Sequence, residues 1–290
     1  LLIPYCTGVT EEDAVTSNGA PAGSAEPAEI DTSVAHAARV YDYLLGGRAN
    51  FKVDREAAAR AYAAFPGGLD GVRADVRQHR AVLGRMVRYF VEDAGIMQFL
   101  DIGTGIPKEN NVHEVAQHAA SNARIVYVDR DPIVLAHAHQ LLRGTREGSI
   151  SYIYGDLHDP QPILAEAAKT LDFSRPTAVM LFGILHFFSD ADDPHGLIGQ
   201  LMAPLAAGSG LAMSHLASDL HSEEMSETFN RLSSRMAETV ILRSHDEVAG
   251  LFGGLELVEP GVVQATQWRP DPRTPAVPSQ TWVGAARKTG

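Results

Sequence analysis

Asp101, Asp129, Asp156 and His186 stand at or just past the ends of four consecutive apolar runs. In an open parallel sheet, ligands bind beyond the carboxyl ends of the strands, so polar residues there are the first candidates for chemistry. The run 96–102 contains Asp101 and leads into Gly103-Thr104-Gly105. Glycine at 103 and 105 allows positive φ and lets a ligand approach the main chain without a Cβ in the way. Asp129 follows Asp101 by 28 residues and is followed by Arg130. An acidic residue at the end of the second strand can accept hydrogen bonds from both hydroxyls of a ribose. It can also be a helix N-cap, but Asp131 already fills that role. Asp156 follows Gly155 at the third strand end. Its carboxylate can accept from the exocyclic amino group of an adenine, with Leu157 packing the ring, or it can be an ordinary turn aspartate.

Ribose and adenine acceptors together describe an adenosine ligand. A dinucleotide fingerprint needs a third glycine at position 108, where this chain has Lys108, and no P-loop lysine pattern is present. The ligand is therefore expected to lack a phosphate chain, and S-adenosylmethionine is the common adenosine cofactor of that kind. Its amino-acid end would lie on the Gly103–Gly105 backbone, with Asp101 facing its ammonium directly or through water. A methyl on a sulfonium is already activated, so the protein mainly aligns the nucleophile and excludes water. For the base, His186 and His215 follow the fourth and fifth strands; either can accept a proton. Either can also be an ordinary loop histidine in a chain with 12 of them, and His186 is the better candidate. No metal constellation is expected: His137 and His139 are two apart on a helix and do not share a face. Ser214-His215 lacks the glycine elbow of a hydrolase.

The elements that must hold these residues can be read from periodicity. Strands are expected over 96–102, 124–128, 150–154, 177–181 and 210–213, alternating with helices. Asn111 with Glu114 announces one helix as a capping box. Asp131-Pro132, Asp159-Pro160 and Asp193-Pro194 announce three more, with Asp as cap and Pro at the first helical position. Helices near 221–239 and 246–252 follow, then strands 255–258 and 281–286 as an antiparallel hairpin at the sheet edge. Before the first strand come three helices: one ended by Gly46-Gly47, one starting after Asp54, and one over about 69–93. The arginines of the third (Arg73, Arg77, Arg80, Arg85, Arg88) read as a solvated face rather than a binding patch. Residues 1–29, rich in Ala, Gly, Pro, Ser and Glu, read as a flexible tail. Three parts result: tail 1–29, helical cap 30–94, and a Rossmann-like α/β domain 95–290. The sheet is expected to be doubly wound, mostly parallel and seven-stranded, with an antiparallel C-terminal edge strand.

The bulk numbers bound the function. A net charge of −12 argues against a nucleic-acid backbone or an anionic membrane as partner. Cys6 is the only cysteine, which excludes a disulfide framework and a cysteine zinc site. No apolar run reaches membrane-spanning length. The start Leu1-Leu2-Ile3-Pro4 lacks a basic n-region, so no signal peptide and a cytoplasmic location are expected. The absence of an initiator Met reads as a processed or artificial end.

Several blocks together resemble a bacterial family of class I S-adenosyl methyltransferases first catalogued as a domain of unknown function. The first block is Ala38-Arg39-Val40-Tyr41-Asp42-Tyr43-Leu44-Leu45-Gly46-Gly47, followed by Asn50 and Asp54-Arg55. The second is Gln98-Phe99-Leu100-Asp101-Ile102-Gly103-Thr104-Gly105-Ile106-Pro107 with Asn111-Val112-His113-Glu114-Val115. Val126-Tyr127-Val128-Asp129 with Asp131-Pro132, and Leu185-His186-Phe187, complete it. The resemblance runs from about residue 31 to the C-terminus. It implies a methyltransferase acting on a small-molecule acceptor, with cofactor contacts from Asp101, Gly103, Thr104, Gly105, Asp129, Arg130, Asp156 and Leu157. It also implies a helical lid over 39–50, contributing Arg39 and Asn50 to the cofactor, and a substrate-facing His186. Two positions depart from the pattern: His79, where an asparagine is usual, and Lys108, where a threonine is usual. A non-catalytic adenosine sensor on the same fold is the alternative. A nicotinamide oxidoreductase is a third reading, against which Lys108 counts.

Overall fold

Five strands enter one sheet in parallel: β1 (Gln98–Ile102), β2 (Arg124–Asp129), β3 (Ser149–Tyr154), β4 (Ala178–Leu181) and β5 (Gly210–Leu216). The computed structural model describes residues 32–290, apart from 64, 66, 132–133, 135–142, 221–238 and 274–277. The expected tail, the helices after Asp131-Pro132 and over 221–239, and Cys6, His137 and His139 lie outside the described residues.

The spatial order is β3-β2-β1-β4-β5, continued by β8 (Thr281–Arg287), which runs antiparallel to β5. Beyond β8 the edge is made of two short pieces, β6 (Glu256–Leu257) and β7 (Val263–Gln264), both antiparallel to it. The sheet thus has eight strands, because the outer position expected as one strand is split by the turn around Pro260 and Gly261. The chain winds outward from β1 through β2 to β3, then returns to place β4 on the other side of β1. That reversal opens a crevice beyond the carboxyl ends of β1 and β4.

Side chains alternate across each strand, so the two faces have separate cores. Leu100, Ile102, Val126, Val128, Val179 and Leu181 face α5 (Pro160–Ala167), α6 (Pro194–Met202) and α7 (His245–Gly250). Phe99, Ile125, Tyr127, Ala178 and Met180 face α3 (Gly68–Arg88) and α4 (Val112–Ala119). Asp101, in phase with Phe99, lies on the α3 and α4 side. Local signals explain the helix starts. The Glu114 carboxylate accepts the Asn111 N–H at 2.7 Å, and the Asp193 carboxylate accepts the Gly196 N–H at 3.0 Å. Ser244, whose hydroxyl accepts the Glu247 N–H, starts α7 one residue before the expected Asp246.

The cap consists of α1 (Ala37–Leu44), α2 (Lys52–Ala61) and the first half of α3 around Val40, Leu44, Ala58 and Val72. Helix α2 begins at Lys52 rather than after Asp54, because Asp54 caps it from inside the first turn by accepting the Phe51 N–H at 2.8 Å. Helix α3 runs on into a π-helical turn, Tyr89–Asp93, so the expected 69–93 helix is a single continuous rod with a wide last turn. The cap is fastened to the sheet domain by Asp42–Lys108 and by His36 Nδ1–Asp131 at 3.3 Å. Among the described residues no helix is long and apolar enough to cross a membrane.

Candidate active site

The crevice at the β1/β4 reversal is one cavity of about 270 Å3, lined by cap, α3 and strand ends together. At its inner end the chain turns sharply after β1. Gly103 has φ +77° and Gly105 φ +64°, conformations that cost an L-residue about 1–2 kcal/mol. The turn is pinned by Asp129: its Oδ2 accepts the Gly105 N–H at 2.8 Å, and its Oδ1 accepts the Asp131 N–H at 2.9 Å. Each carboxylate oxygen keeps a second lone pair for a ligand hydroxyl. Burial raises the Asp129 carboxyl above its ordinary value, and the two amide hydrogen bonds only partly offset this.

Asp101 is 7% exposed and lines the same wall. Burial pushes its carboxyl up to about 7; the Arg80 guanidinium works against the shift and Asp129 adds to it. A carboxyl so poised is short of positive charge. A ligand ammonium beside it would supply that charge, lower this pKa and release a proton on binding. The sign follows: between pH 5 and 7 affinity for S-adenosylhomocysteine should rise with pH, flattening as the free-state value is passed. Calorimetry in buffers of different ionisation enthalpy measures the released proton directly. Asp101→Asn should remove both the proton and the slope; a slope that survives in that variant would rule Asp101 out as its source.

Asp156 is half-exposed on the cavity rim. Its Oδ1 accepts from His158 Nδ1 at 2.6 Å and from the His158 N–H at 3.0 Å, while Arg130 lies 3.5 Å from Oδ2. What burial there is raises its carboxyl, but the His158 hydrogen bonds and the Arg130 charge outweigh it and hold the value low. Leu157 is buried beside it, and Gly103, Thr104 and Arg130 also line the cavity.

Two expected cofactor residues are not brought to the cavity. Arg39 turns the other way, its Nε donating to both Asp54 oxygens at 3.1 and 3.2 Å inside the cap. Asn50 donates to Asp42 Oδ2 at 2.7 Å and to the Gly47 carbonyl at 3.0 Å. Both hold the cap together: Arg39 ties α1 to α2 through Asp54, and Asn50 ties the connector between those helices back to α1. From α1 and the residue before it, His36, Ala37, Ala38, Val40, Tyr41 and Leu44 do line the cavity.

His186 lines the cavity, and its buried Nδ1 has no partner among the described residues. Burial holds its pKa well below the ordinary histidine value, with His215 and His79 adding to the shift, so it is a neutral imidazole with a free lone pair. His215 does not share this position. Its Nδ1 lies 2.9 Å from the Leu216 carbonyl and its Nε2 2.9 Å from Arg243 Nη1, so both nitrogens are spent on structure.

The residues at the site that the sequence reading did not count among the cofactor or catalytic contacts come from α3. His79 sits over the end of β4, with Nδ1 3.0 Å from the Tyr41 hydroxyl and Nε2 2.7 Å from Ser214 Oγ. Ser214 Oγ in turn accepts the Gly183 N–H at 2.8 Å. Burial drops His79 to about 4, so this link between cap, α3 and β5 is uncharged. Arg80 donates to the Glu109 and Asn110 carbonyls at 3.1 Å each and also lines the cavity. The solvated-face reading holds for exposed Arg77 and Arg88 but not for Arg80, nor for Arg85, which donates to the Trp268 and Ala265 carbonyls at 2.8 and 2.6 Å. The signal was present. His79 falls in the apolar series Val72, Val76, Leu83, on the side of α3 that must be buried.

Three carboxyls around a glycine turn disfavour a phosphate chain and suit an adenosine ligand bearing positive charge. The comparisons agree. The family model described as S-adenosyl methyltransferase matches residues 23–289. A solved DUF574 family protein from Streptomyces avermitilis is 40% identical, with TM-score 0.82, over 89% of this chain and 99% of its own. A candidate methyltransferase from Thermobifida fusca YX is 37% identical, with TM-score 0.81, over 92% and 100%. An S-adenosylmethionine-dependent methyltransferase from Anabaena variabilis is 12% identical over 72% of this chain and 84% of its own, with TM-score 0.50, a likeness of fold alone. No functionally curated protein matches. The chain belongs to the S-adenosyl methyltransferase family, with S-adenosylmethionine as its cofactor.

Proposed function

We propose that this chain methylates a small molecule held in the outer half of the cavity, next to a cofactor held by the strand ends. The observation that carries this reading is the convergence of Asp101, Asp129 and Asp156 on one cavity that continues past them between cap and sheet. S-adenosylmethionine, when bound, supplies a sulfonium-activated methyl group. Asp129 takes the ribose hydroxyls, Asp156 and Leu157 the adenine, and the Gly103–Gly105 backbone with Asp101 the amino-acid end. Arg80, cationic beside Asp101, suits the cofactor carboxylate. Tyr41 and Leu44 of α1 cover the cavity and exclude water, so the cap acts as a lid over it. The His186 ring at the cavity wall, neutral because burial lowers its pKa, orients the acceptor's nucleophile by a hydrogen bond. A cleft of about 270 Å3 suits a small-molecule acceptor.

Calorimetry with S-adenosylmethionine and S-adenosylhomocysteine, against NAD and ATP, tests the cofactor half. Micromolar binding of the first two alone is expected; a folded sample that binds neither would refute it. Within that site, Asp129→Ala should weaken S-adenosylhomocysteine by about 1–3 kcal/mol, the loss expected for charge-assisted hydrogen bonds. An unchanged dissociation constant would mean that Asp129 does not hold the ribose.

A further inference from the structure

The cavity wall carries a fourth carboxyl besides the three at the strand ends. Asp75, on α3 one turn before His79, lines the cavity there with Tyr41, Tyr62, Val76 and Thr281. Its Oδ1 accepts the Gln280 N–H at 3.2 Å. No basic side chain among the described residues pairs with it, and Arg80, five positions on, points its charge at the Asp101 end. Next to it, the buried Oε1 of Gln280 also lacks a donor among the described residues. Burial raises the Asp75 carboxyl, and the nearby Ser279 hydroxyl and the Gln280 N–H do not outweigh it. Tyr62 and Tyr41 are pushed up to about 12, chiefly by burial, with Asp75 adding to the shift in both.

We propose that this end of the cavity binds a methyl acceptor carrying an ammonium group on an apolar body, with the Asp75 carboxylate as counter-ion. A carboxylate placed among aromatic and aliphatic side chains costs free energy unless a cation or donors meet it. The chain itself provides no cation there, whereas an ammonium bound with its body against Tyr62 and Val76 meets both needs. Aromatic faces also favour a cation. Residues four apart on a helix have their Cβ atoms about 5–6 Å apart, so the ammonium lies about one helical turn from His79 and the end of β4. The ammonium is therefore a handle that sets specificity, and the methylated atom is a separate group at the His186 end. An anionic acceptor is excluded by the same carboxylate. The proposal rests on this cavity being the methyl-transfer site.

The test uses binding, since the natural acceptor is not needed for it. Matched pairs that differ in the ammonium (tyramine and 4-ethylphenol, hexylamine and hexanol) are titrated into the protein saturated with S-adenosylhomocysteine. At least one amine should bind about tenfold or more tighter than its neutral partner. Asp75→Asn, nearly isosteric and still able to accept the Gln280 N–H, should erase that preference. Amines that bind no tighter than their partners in the wild-type protein, where folding is not in question, would overturn the proposal. So would a preference that survives Asp75→Asn. Failure of S-adenosylhomocysteine itself to bind would instead strike the methyl-transfer reading beneath it.

Discussion

Asp54→Ala is expected to destabilise the protein by about 3–5 kcal/mol, the cost of breaking a buried ion pair by removing one partner. Asp54 is fully buried and Arg39 is 3% exposed. The carboxylate does three things at once: it receives Arg39 Nε on both oxygens, caps α2 through the Phe51 N–H, and accepts the His36 N–H at 3.0 Å. Alanine strands a guanidinium in the cap and frees one amide at the start of α1 and one at the start of α2. Because α1 carries His36, Tyr41 and Leu44 into the cavity, the lid should loosen and cofactor affinity should fall with stability. Urea unfolding measures the first effect and calorimetry the second. The double replacement Arg39→Met with Asp54→Leu should recover much of the loss, since apolar pairs of similar volume often substitute for buried ions. A loss below about 1 kcal/mol for Asp54→Ala would show that the pair does not organise the cap.

Gly103→Ala should cost nearly as much, and at the site itself. The new Cβ would stand 2.6 Å from Ile184 Cδ1 and 2.9 Å from Ile184 Cβ. The first atom can swing away, but the second is fixed to the loop after β4. Relief therefore requires that loop to move off the glycine turn, opening the crevice between β1 and β4. Positive φ adds about 1–2 kcal/mol and overpacking about 1–3 kcal/mol, so a total of about 2–5 kcal/mol is expected. At this size that is a fall in Tm of roughly 5–15 °C, with loss of S-adenosylhomocysteine binding. Gly105→Ala is the control. It shares the positive φ but has nothing within 4 Å of its Cβ, so only the strain term applies to its folding. Equal Tm values for the two variants would mean that Ile184 does not press on Gly103.

The strand-end acids, the glycine turn and the alternation of strands and helices were all legible in the sequence, because each is a local pattern. A short apolar run, a turn glycine, and an Asp or Asn before a helix impose their geometry within a few residues. Asp101, Asp129 and Asp156 reach one cavity because a parallel sheet lines up its strand ends whatever packs above them. The family blocks carried the function for the same reason: they are contiguous stretches. What lay outside reach was every decision made between distant segments. Arg39 and Asn50 sit in the most recognisable block, yet their partners are Asp54, Asp42 and Gly47 within the cap, and the cavity is left to Tyr41 and Leu44. His79 and Arg80 share a helix with exposed Arg77 and Arg88; only the docking of α3 over the β1/β4 reversal separates wall from solvent. Asp75 could have been one more surface acid until β8 brought Gln280 against it, 205 positions along the chain. The sequence by itself determined the sheet and the strand-end acids with their glycine turn, which depend on backbone geometry. The tertiary structure decided the wall around Asp75, because it is assembled from side chains of four elements whose meeting no local pattern encodes.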